Sequence, residues 1–376
     1  MRINQGLAKI GIGKISIGFI AGAAIVGGIA TAAPSTQTTA LQLCADRSTN
    51  AVFLAANGSC PANRTAISVG GNTIDVKAIA AIVTPSVVSI KVSSSAGSGS
   101  GSGWVYRVSG GDTYIVTNNH VVESAASSGN ILIENSAGDQ LGATLVGRDP
   151  IYDLAVIKVR SSKFAEVTLG DSTKLSVGDP VVAIGSPLGL ASTVTSGIVS
   201  ALNRPVITGG LTSESSVNAI QTDAAINPGN SGGALLDGRG RLVGINSAIA
   251  TLSSGGTSGS IGLGFAIPIS EARRVINEII DTGKSTRPVL GVYFDPTYTG
   301  VGAKITRLSP GEAAERVGIP VNSVVRAVGG QKTPDRETAI VRLRSFAPGA
   351  TITVLVDLPT GGQKLFSVKL GSAPSL

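Results

Sequence analysis

From residue 88 onward, apolar and polar positions alternate in short runs. Val88, Ile90 and Val92 recur at every second position, the pattern of a half-buried strand. Further runs follow: TYIVT, ILIEN, ATLVGR, LAVIKV, VVAIG, TVTSGIVSAL, AIQTD, GALLD, RLVGINSAI and GLGFAIP. They come about every 8–12 residues with turn residues between them, which predicts an all-β sandwich or barrel. The pattern alone does not choose between those two. At Ser270–Gly283 the period changes to that of a helix, with Val275, Ile276, Ile279 and Ile280 on one face. Ser270 is expected to cap it, Glu271 suits its N-terminal dipole, and Gly283 suits its C-terminal stop. A short linker, 284–288, leads to a second set of strand-like runs (VLGVYF, AKITRL, SVVRAV, ITVLVDL, KLFSVKL) around two helical segments near Pro310–Val317 and Arg336–Ser345.

Composition narrows this picture. A chain of 376 residues, 42% hydrophobic and 14% charged, can build more than one core. Residues 1–33 begin with Arg2, Lys9 and Lys14, continue uncharged from Ile15 to Ala33, and end in small residues before Pro34. That is the layout of a secretory signal. The same uncharged stretch is long enough to serve as an uncleaved membrane anchor, but its glycine and alanine content favours cleavage. Either way the bulk of the chain is expected outside a bacterial cytoplasm: secreted, in the cell envelope, or anchored to the membrane by residues 15–33. The net charge is +7, of which these three basic residues account for three, leaving +4 on the remainder. This is too mild to argue for nucleic acid. One histidine and two cysteines argue against a zinc site, and no metal or cofactor is expected. In an exported chain, Cys44 and Cys60 are expected to form one disulfide, stapling a small β-hairpin module.

The candidate chemistry lies in Asn227–Leu235, NPGNSGGAL. It sets Ser231 among glycines that let the backbone turn sharply and aim N–H groups at one point. A serine nucleophile needs a base and an orienter for it, and the only histidine is His120. Gly229, Ser231 and Gly233 satisfy G-x-S-x-G, but the enzymes with that elbow need a histidine after the serine. The subtilisin order would need an aspartate before His120, and Asp46, Asp75 and Asp112 lie in no recognisable context. The order His, Asp, Ser remains, which is that of the chymotrypsin double barrel. Asp153, opening the run DLAVIKV, is the best-placed aspartate. Asp149, Asp171, Asp179 and Asp223 compete with it.

With TNNHVV around His120, YDLAVIKV around Asp153 and TDAAINPGNSGGAL around Ser231, the chain resembles the HtrA/DegP family of trypsin-fold serine proteases with PDZ domains. The resemblance covers roughly residues 78–370. It implies an all-β protease, a chymotrypsin-like double β-barrel at 77–284, followed by an α+β PDZ domain at 288–371. Before them lie the export segment 1–33 and an N-terminal segment, 34–76, with the Cys44–Cys60 hairpin. AIAAIVTPSVVSIKV matches the family's opening helix and first strand. SSSAGSGSGSGW has the composition of a flexible linker, and the resemblance makes it a glycine-serine loop inside the first barrel, ending at Gly103-Trp104.

By the same resemblance, His120 is the general base, Asp153 its orienter and Ser231 the nucleophile. The N–H groups of Gly229 and Ser231 form the oxyanion hole. Ile226 and Asn246-Ser247-Ala248-Ile249 line the substrate pocket. None of these is acidic, so the pocket is expected to prefer small or medium aliphatic residues. Val289-Leu290-Gly291-Val292 sits where the PDZ carboxylate loop belongs. Gly262-Leu263-Gly264-Phe265 spells a better-known version of that loop, but its place before the closing helix assigns it to the protease. Asn322-Ser323 departs from the family's usual Gly-Asp. The implied substrates are unfolded or damaged proteins and peptides with exposed apolar C-termini. The implied assembly is a homotrimer formed through residues before the barrel, a region that here departs into the cysteine module. The alternative is a non-proteolytic peptide-binding scaffold. The presence of all three of His120, Asp153 and Ser231 argues against it.

Overall fold

The computed structural model describes residues 41–46, 52–54, 59–69, 74–95, 97–186, 192–208, 215–247 and 262–375. The segment expected to direct export, residues 1–33, lies outside these. An N-terminal unit, residues 1–73, separates from the rest of the chain. Within it, β1 (Leu41–Asp46), β2 (Val52–Leu54) and β3 (Arg64–Val69) form an antiparallel sheet in the order β2-β1-β3. Cys44 and Cys60 stand with their Cα atoms 5.6 Å apart, within reach of a disulfide. Among the described residues no helix is long and apolar enough to cross a membrane.

The second unit opens with helix α1 (Val76–Val83), whose first turn is capped by the Asp75 carboxylate accepting from the Ala78 N–H. Two closed antiparallel barrels follow. The first contains β4 (Val87–Ser94), β5 (Gly97–Ser109), β6 (Asp112–Thr117), β7 (Asn130–Glu134), β8 (Gln140–Asp149) and β9 (Leu154–Val159), with the short helix α2 (Asn119–Val122) after β6. Around the barrel the order is β4-β5-β6-β9-β8-β7. The second contains β10 (Pro180–Gly185), β11 (Thr193–Thr208), β12 (Ser215–Thr222), β13 (Ala234–Asp237), β14 (Leu242–Ser247) and β15 (Gly264–Pro268). Its order, β10-β11-β12-β15-β14-β13, repeats that of the first.

The strands with near-continuous apolar sequence are those buried on both faces. In β9, Ala155, Ile157 and Val159 fill the first barrel, while Leu154 and Val156 face a larger core shared by both barrels. In β10, Val181 and Ala183 fill the second barrel, and Val182 and Ile184 face the shared core. Helix α3 (Ile269–Thr282) closes this shared core with Ala272, Val275, Ile276 and Ile279. Gly283, left-handed at φ 76°, ends it as expected. The start differs from expectation. Pro268, still extended as the last residue of β15, takes the cap position, and Ser270 lies inside the helix. The Ser270 N–H is instead satisfied by the Ser172 hydroxyl at 3.0 Å, from a residue 98 positions away that a local pattern cannot reveal.

The glycine-serine segment is a second departure. Residues 97–104 are neither linker nor loop but the first half of β5, paired with β4 from Ser94↔Gly97 to Val87↔Trp104. Close packing accounts for the glycines better than flexibility does. A Cβ at Gly103 would lie 2.7 Å from Ile115 and 2.9 Å from Ile90, inside the first barrel.

Glu271, in the first turn of α3, is largely buried and accepts a hydrogen bond from the Asn218 amide at 3.0 Å. Burial raises its pKa to about 7, outweighing the Asn218 bond, which lowers it. Because the folded value exceeds the ordinary one, the protonated group stabilises the fold below about pH 4.5, and that contribution is lost as pH rises through about 7. Glu271→Gln is therefore expected to stabilise the protein at pH 8 by on the order of 1–3 kcal/mol and to do little at pH 4. Denaturant melts at the two pH values check this. Equal effects at both would show that the carboxylate is not held against its charge.

Beyond α3 lies a C-terminal β-rich region. Its elements are β16 (Thr286–Val289), β17 (Val292–Phe294), β18 (Ala303–Leu308), α4 (Ala313–Arg316), β19 (Val324–Val328), β20 (Gln331–Lys332), α5 (Arg336–Arg344), β21 (Thr351–Asp357), β22 (Gln363–Lys369) and β23 (Gly371–Pro374). The main sheet runs β17-β18-β19-β21-β22 and has its own core; β16 pairs with β23. The helix expected near Pro310–Val317 is reduced to the four residues of α4, between Gly311 and Gly318, both at positive φ. The region is tied to the barrels through α5. The Tyr152 hydroxyl donates to the Arg344 carbonyl at 2.9 Å, and the Arg344 guanidinium donates to the Ser216 carbonyl at 3.2 Å.

Candidate active site

His120 is carried on α2, one turn after β6 delivers Thr117 to the barrel rim. Its Nδ1 lies 3.0 and 2.9 Å from the two carboxylate oxygens of Asp153, and its backbone N–H donates to Asp153 Oδ1 at 3.0 Å. Asp153 is fully buried and sits at φ +52°, in the left-handed region. For an aspartate this is uncommon but tolerable. Three neighbours hold the residue there: His120 by ring and backbone, the Asn118 side-chain amide donating to the Asp153 carbonyl at 2.9 Å, and the Ser247 hydroxyl 3.4 Å from Oδ2.

The other aspartates have structural partners. Asp149 is also fully buried, but it accepts from the N–H groups of Ile151 and Tyr152 and from the Ser285 hydroxyl at 2.5 Å. Its pKa is raised because burial outweighs these bonds. Asp171 caps the turn at Ser172–Lys174, Asp179 takes the Ser176 N–H, and Asp223 takes the Ile198 N–H.

Ser231 is 5% exposed in the loop between β12 and β13. The turn before it, Asn227–Asn230, is closed by the Asn230 N–H to the Asn227 carbonyl at 2.9 Å, with Pro228 second and Gly229 third at φ +96°. Proline followed by a positive-φ glycine is the type II pattern. Gly232 is needed for two reasons: its φ is +83°, and a Cβ there would lie 2.2 Å from the Ser102 carbonyl and 2.3 Å from the Thr117 hydroxyl. That close approach packs the serine loop of the second barrel onto the strand and turn of the first barrel that carry His120. The loop is stitched to its own barrel by the Gly232 N–H to the Asn246 carbonyl and the Asn246 N–H to the Gly233 carbonyl.

The expected pocket residues take several roles. Ile226 is 5% exposed and belongs to the core of the second barrel. Asn246 turns its amide toward the carbonyls of Ile184 and Ala234, at 3.3 and 3.1 Å. Ser247 reaches Asp153 instead. Ala248 and Ile249 lie outside the described residues. Ser247 as a partner of Asp153, and Ser102 beneath the serine loop, carry no signal in the sequence, since both act through contacts between distant segments. Among the described residues no group of three or more His, Cys, Asp or Glu side chains converges to hold a metal.

Burial by itself would lower the His120 pKa, but the bond to Asp153, its charge and that of Glu123 together outweigh it, so the value lies above the ordinary 6.5. A base must be deprotonated to act. The acid limb of kcat/KM is therefore expected above pH 6.5, with rate rising as pH rises through it. Glu123, paired with Arg148 at 3.6 Å, contributes from outside the His–Asp contact. Glu123→Gln should move that limb to lower pH, and a pH–rate profile that does not move would exclude this contribution.

Two closed barrels of one topology, with a buried serine loop packed onto the turn that leads to a His–Asp pair, are the architecture of the trypsin-like peptidases. The model of the trypsin-like peptidase domain matches residues 101–245. Serine protease PepD of Mycobacterium tuberculosis is 43% identical over 310 residues, covering 79% of this chain and 66% of PepD. The periplasmic pH-dependent serine endoprotease DegQ of Escherichia coli is 38% identical over 250 residues, covering 64% of this chain and 52% of DegQ. Among solved structures, the HtrA-type protease AlgW with a tripeptide superposes with a TM-score of 0.61 at 33% identity, covering 80% of this chain and 98% of that one. The chain belongs to the HtrA/DegP family of serine proteases. It spans about two thirds of the length of PepD and about half that of DegQ.

Proposed function

We propose that the protein is an exported serine endopeptidase that cleaves unfolded or damaged proteins of the cell envelope. The observation that carries this reading is the buried Asp153 carboxylate bonded through both oxygens to Nδ1 of the chain's only histidine. That bond holds the proton on Nδ1 and leaves Nε2 to take the Ser231 proton. Ser231 then attacks the peptide carbonyl to form an acyl-enzyme, His120 gives the proton to the leaving amine, and water hydrolyses the ester by the reverse sequence. The N–H groups of Gly229 and Ser231 would stabilise the oxyanion. Ile226 and the end of β14 would favour small aliphatic side chains in the specificity pocket.

The C-terminal region acts, in this reading, as a PDZ domain. Its support is β17, an edge strand paired on one side only, with the Val289–Val292 segment at its start and α5 across the groove. An edge strand beside a groove can accept a peptide as an added strand, with its C-terminal carboxylate on backbone N–H groups. Residues 1–33 would direct export, and a disulfide between Cys44 and Cys60 suits the oxidising compartment outside the cytoplasm.

The test is digestion of casein by residues 34–376, beside Ser231→Ala and a version ending at Gly283, together with labelling by a serine-directed phosphonate. Digestion and labelling by the wild type, both lost in Ser231→Ala, are the expected results. A wild type that is neither labelled nor active, even with C-terminal peptides added, would favour a peptide-binding scaffold.

A further inference from the structure

Ser102 lies in β5 between two glycines and is fully buried. Every polar atom it has is engaged. Its N–H donates to the Ser231 carbonyl at 2.8 Å, and its own carbonyl accepts from the Thr117 hydroxyl at 2.7 Å. Its hydroxyl donates to the Gly229 carbonyl at 2.6 Å and accepts from the Ser186 N–H, at the end of β10, at 2.7 Å. The two residues whose N–H groups would form the oxyanion hole thus both have their carbonyls held by one residue of the opposite barrel. The backbone bond to Ser231 is open to any residue at this position. The two side-chain bonds require a hydroxyl that donates and accepts at once.

The neighbouring glycine shows how closely the barrels meet here. A Cβ at Gly101 would lie 3.1 Å from the Ser231 carbonyl and 2.6 Å from Val121, the residue after His120. Gly229 can shift with little backbone cost, because glycine adopts either sign of φ. Losing the Ser102 hydroxyl leaves a buried carbonyl and a buried N–H without these partners, and the loop can relieve that only by shifting.

We propose that Ser102 is a positioning residue for the Ser231 chemistry: its hydroxyl holds the Gly229 carbonyl and the Ser186 amide so that the turn at 227–230 keeps its N–H donor aimed at the developing oxyanion. The inference rests on the endopeptidase reading above. It separates transition-state stabilisation from substrate binding, since the hydroxyl touches the loop from behind and not the substrate groove.

The test compares wild type, Ser102→Ala, Ser102→Gly and Ser102→Thr by peptide hydrolysis, phosphonate labelling, thermal midpoint, and affinity for a peptide boronate and for a non-cleavable peptide. A displacement of about 1 Å at such a donor costs up to about 100-fold, so Ser102→Ala and Ser102→Gly should lose about 10- to 100-fold in kcat and in labelling rate. KM should stay within about 3-fold, and boronate affinity should fall with kcat while affinity for the non-cleavable peptide holds. Ser102→Thr, which restores the hydroxyl, should recover most of the loss. The inference is overturned if Ser102→Ala and Ser102→Gly keep kcat within about 2-fold of wild type. It is equally overturned if kcat and both affinities fall and KM rises together with a lowered thermal midpoint, the mark of a merely structural residue. A wild type that the phosphonate does not label overturns the endopeptidase reading, and this inference with it. A labelled wild type beside unimpaired Ser102 variants overturns this inference alone.

Discussion

Replacing Ser231 by alanine will reduce peptide hydrolysis by about six orders of magnitude, to the residual rate that binding and the remaining donors support. The size follows from the chemistry: with no hydroxyl there is no acyl-enzyme, and His120 has no proton to take. The fold should tolerate the change. Ser231 is bound to Ser102 through its backbone carbonyl, which alanine keeps, and the adjacent tight positions are Gly232 and Gly233, which are untouched. Casein digestion and single-turnover hydrolysis of a peptide ester, measured with the thermal midpoint, check this. A variant that folds as wild type and still cleaves would show that Ser231 is not the nucleophile.

Asp153→Asn is expected to lower kcat by about 10⁴-fold while leaving the protein folded. Asparagine is among the few residues at ease at a positive φ such as the +52° found here, so the backbone is not strained by the exchange. Its carbonyl oxygen can still accept the His120 backbone N–H that Asp153 takes at 3.0 Å. Its amide, however, donates where the carboxylate accepted. Facing Nδ1, it forces the imidazole proton onto Nε2, and the histidine then meets Ser231 as a donor and not as a base. The negative charge that steadies the imidazolium disappears as well. The measurement is a pH–rate profile beside a thermal melt. Unchanged stability with activity recovering only at high pH is the expected outcome, whereas a loss below about 10-fold would remove Asp153 from its assigned role. The same exchange at Asp149 would leave the His120–Asp153 contact in place, since Asp149 serves Ser285 and the turn at 151–152.

Which parts of this could be read without the fold depended on whether the signal was local. Apolar runs such as LAVIKV and VVAIG announced strands, because a strand buried on both faces must be apolar at nearly every position. Helix α3 announced its inward face by its helical period and its stop by Gly283, whose left-handed φ of 76° suits glycine. Chemistry was legible because it needs particular residue types: a single histidine left one candidate base, and the order of His120, the aspartates and Ser231 left one kind of barrel. The family resemblance gathered these signs but placed a loop where β5 runs. Glycine and serine there answer to close packing across the barrel, and composition reads the same residues as flexibility.

By itself, then, the sequence pointed to a two-barrel peptidase with a candidate nucleophile loop, a candidate base and Asp153 ahead of its competitors as orienter, since each of those is a residue type, an order or a motif written along the chain. Tertiary structure alone decided that Ser247 reaches Asp153, that the Ser172 hydroxyl satisfies the Ser270 N–H at the start of α3, and that Ser102 underlies the serine loop. Each of these rests on hydrogen bonds between segments 94 to 127 positions apart. A single polar contact across such a distance leaves no periodicity, and it comes into being only when the two barrels close on each other.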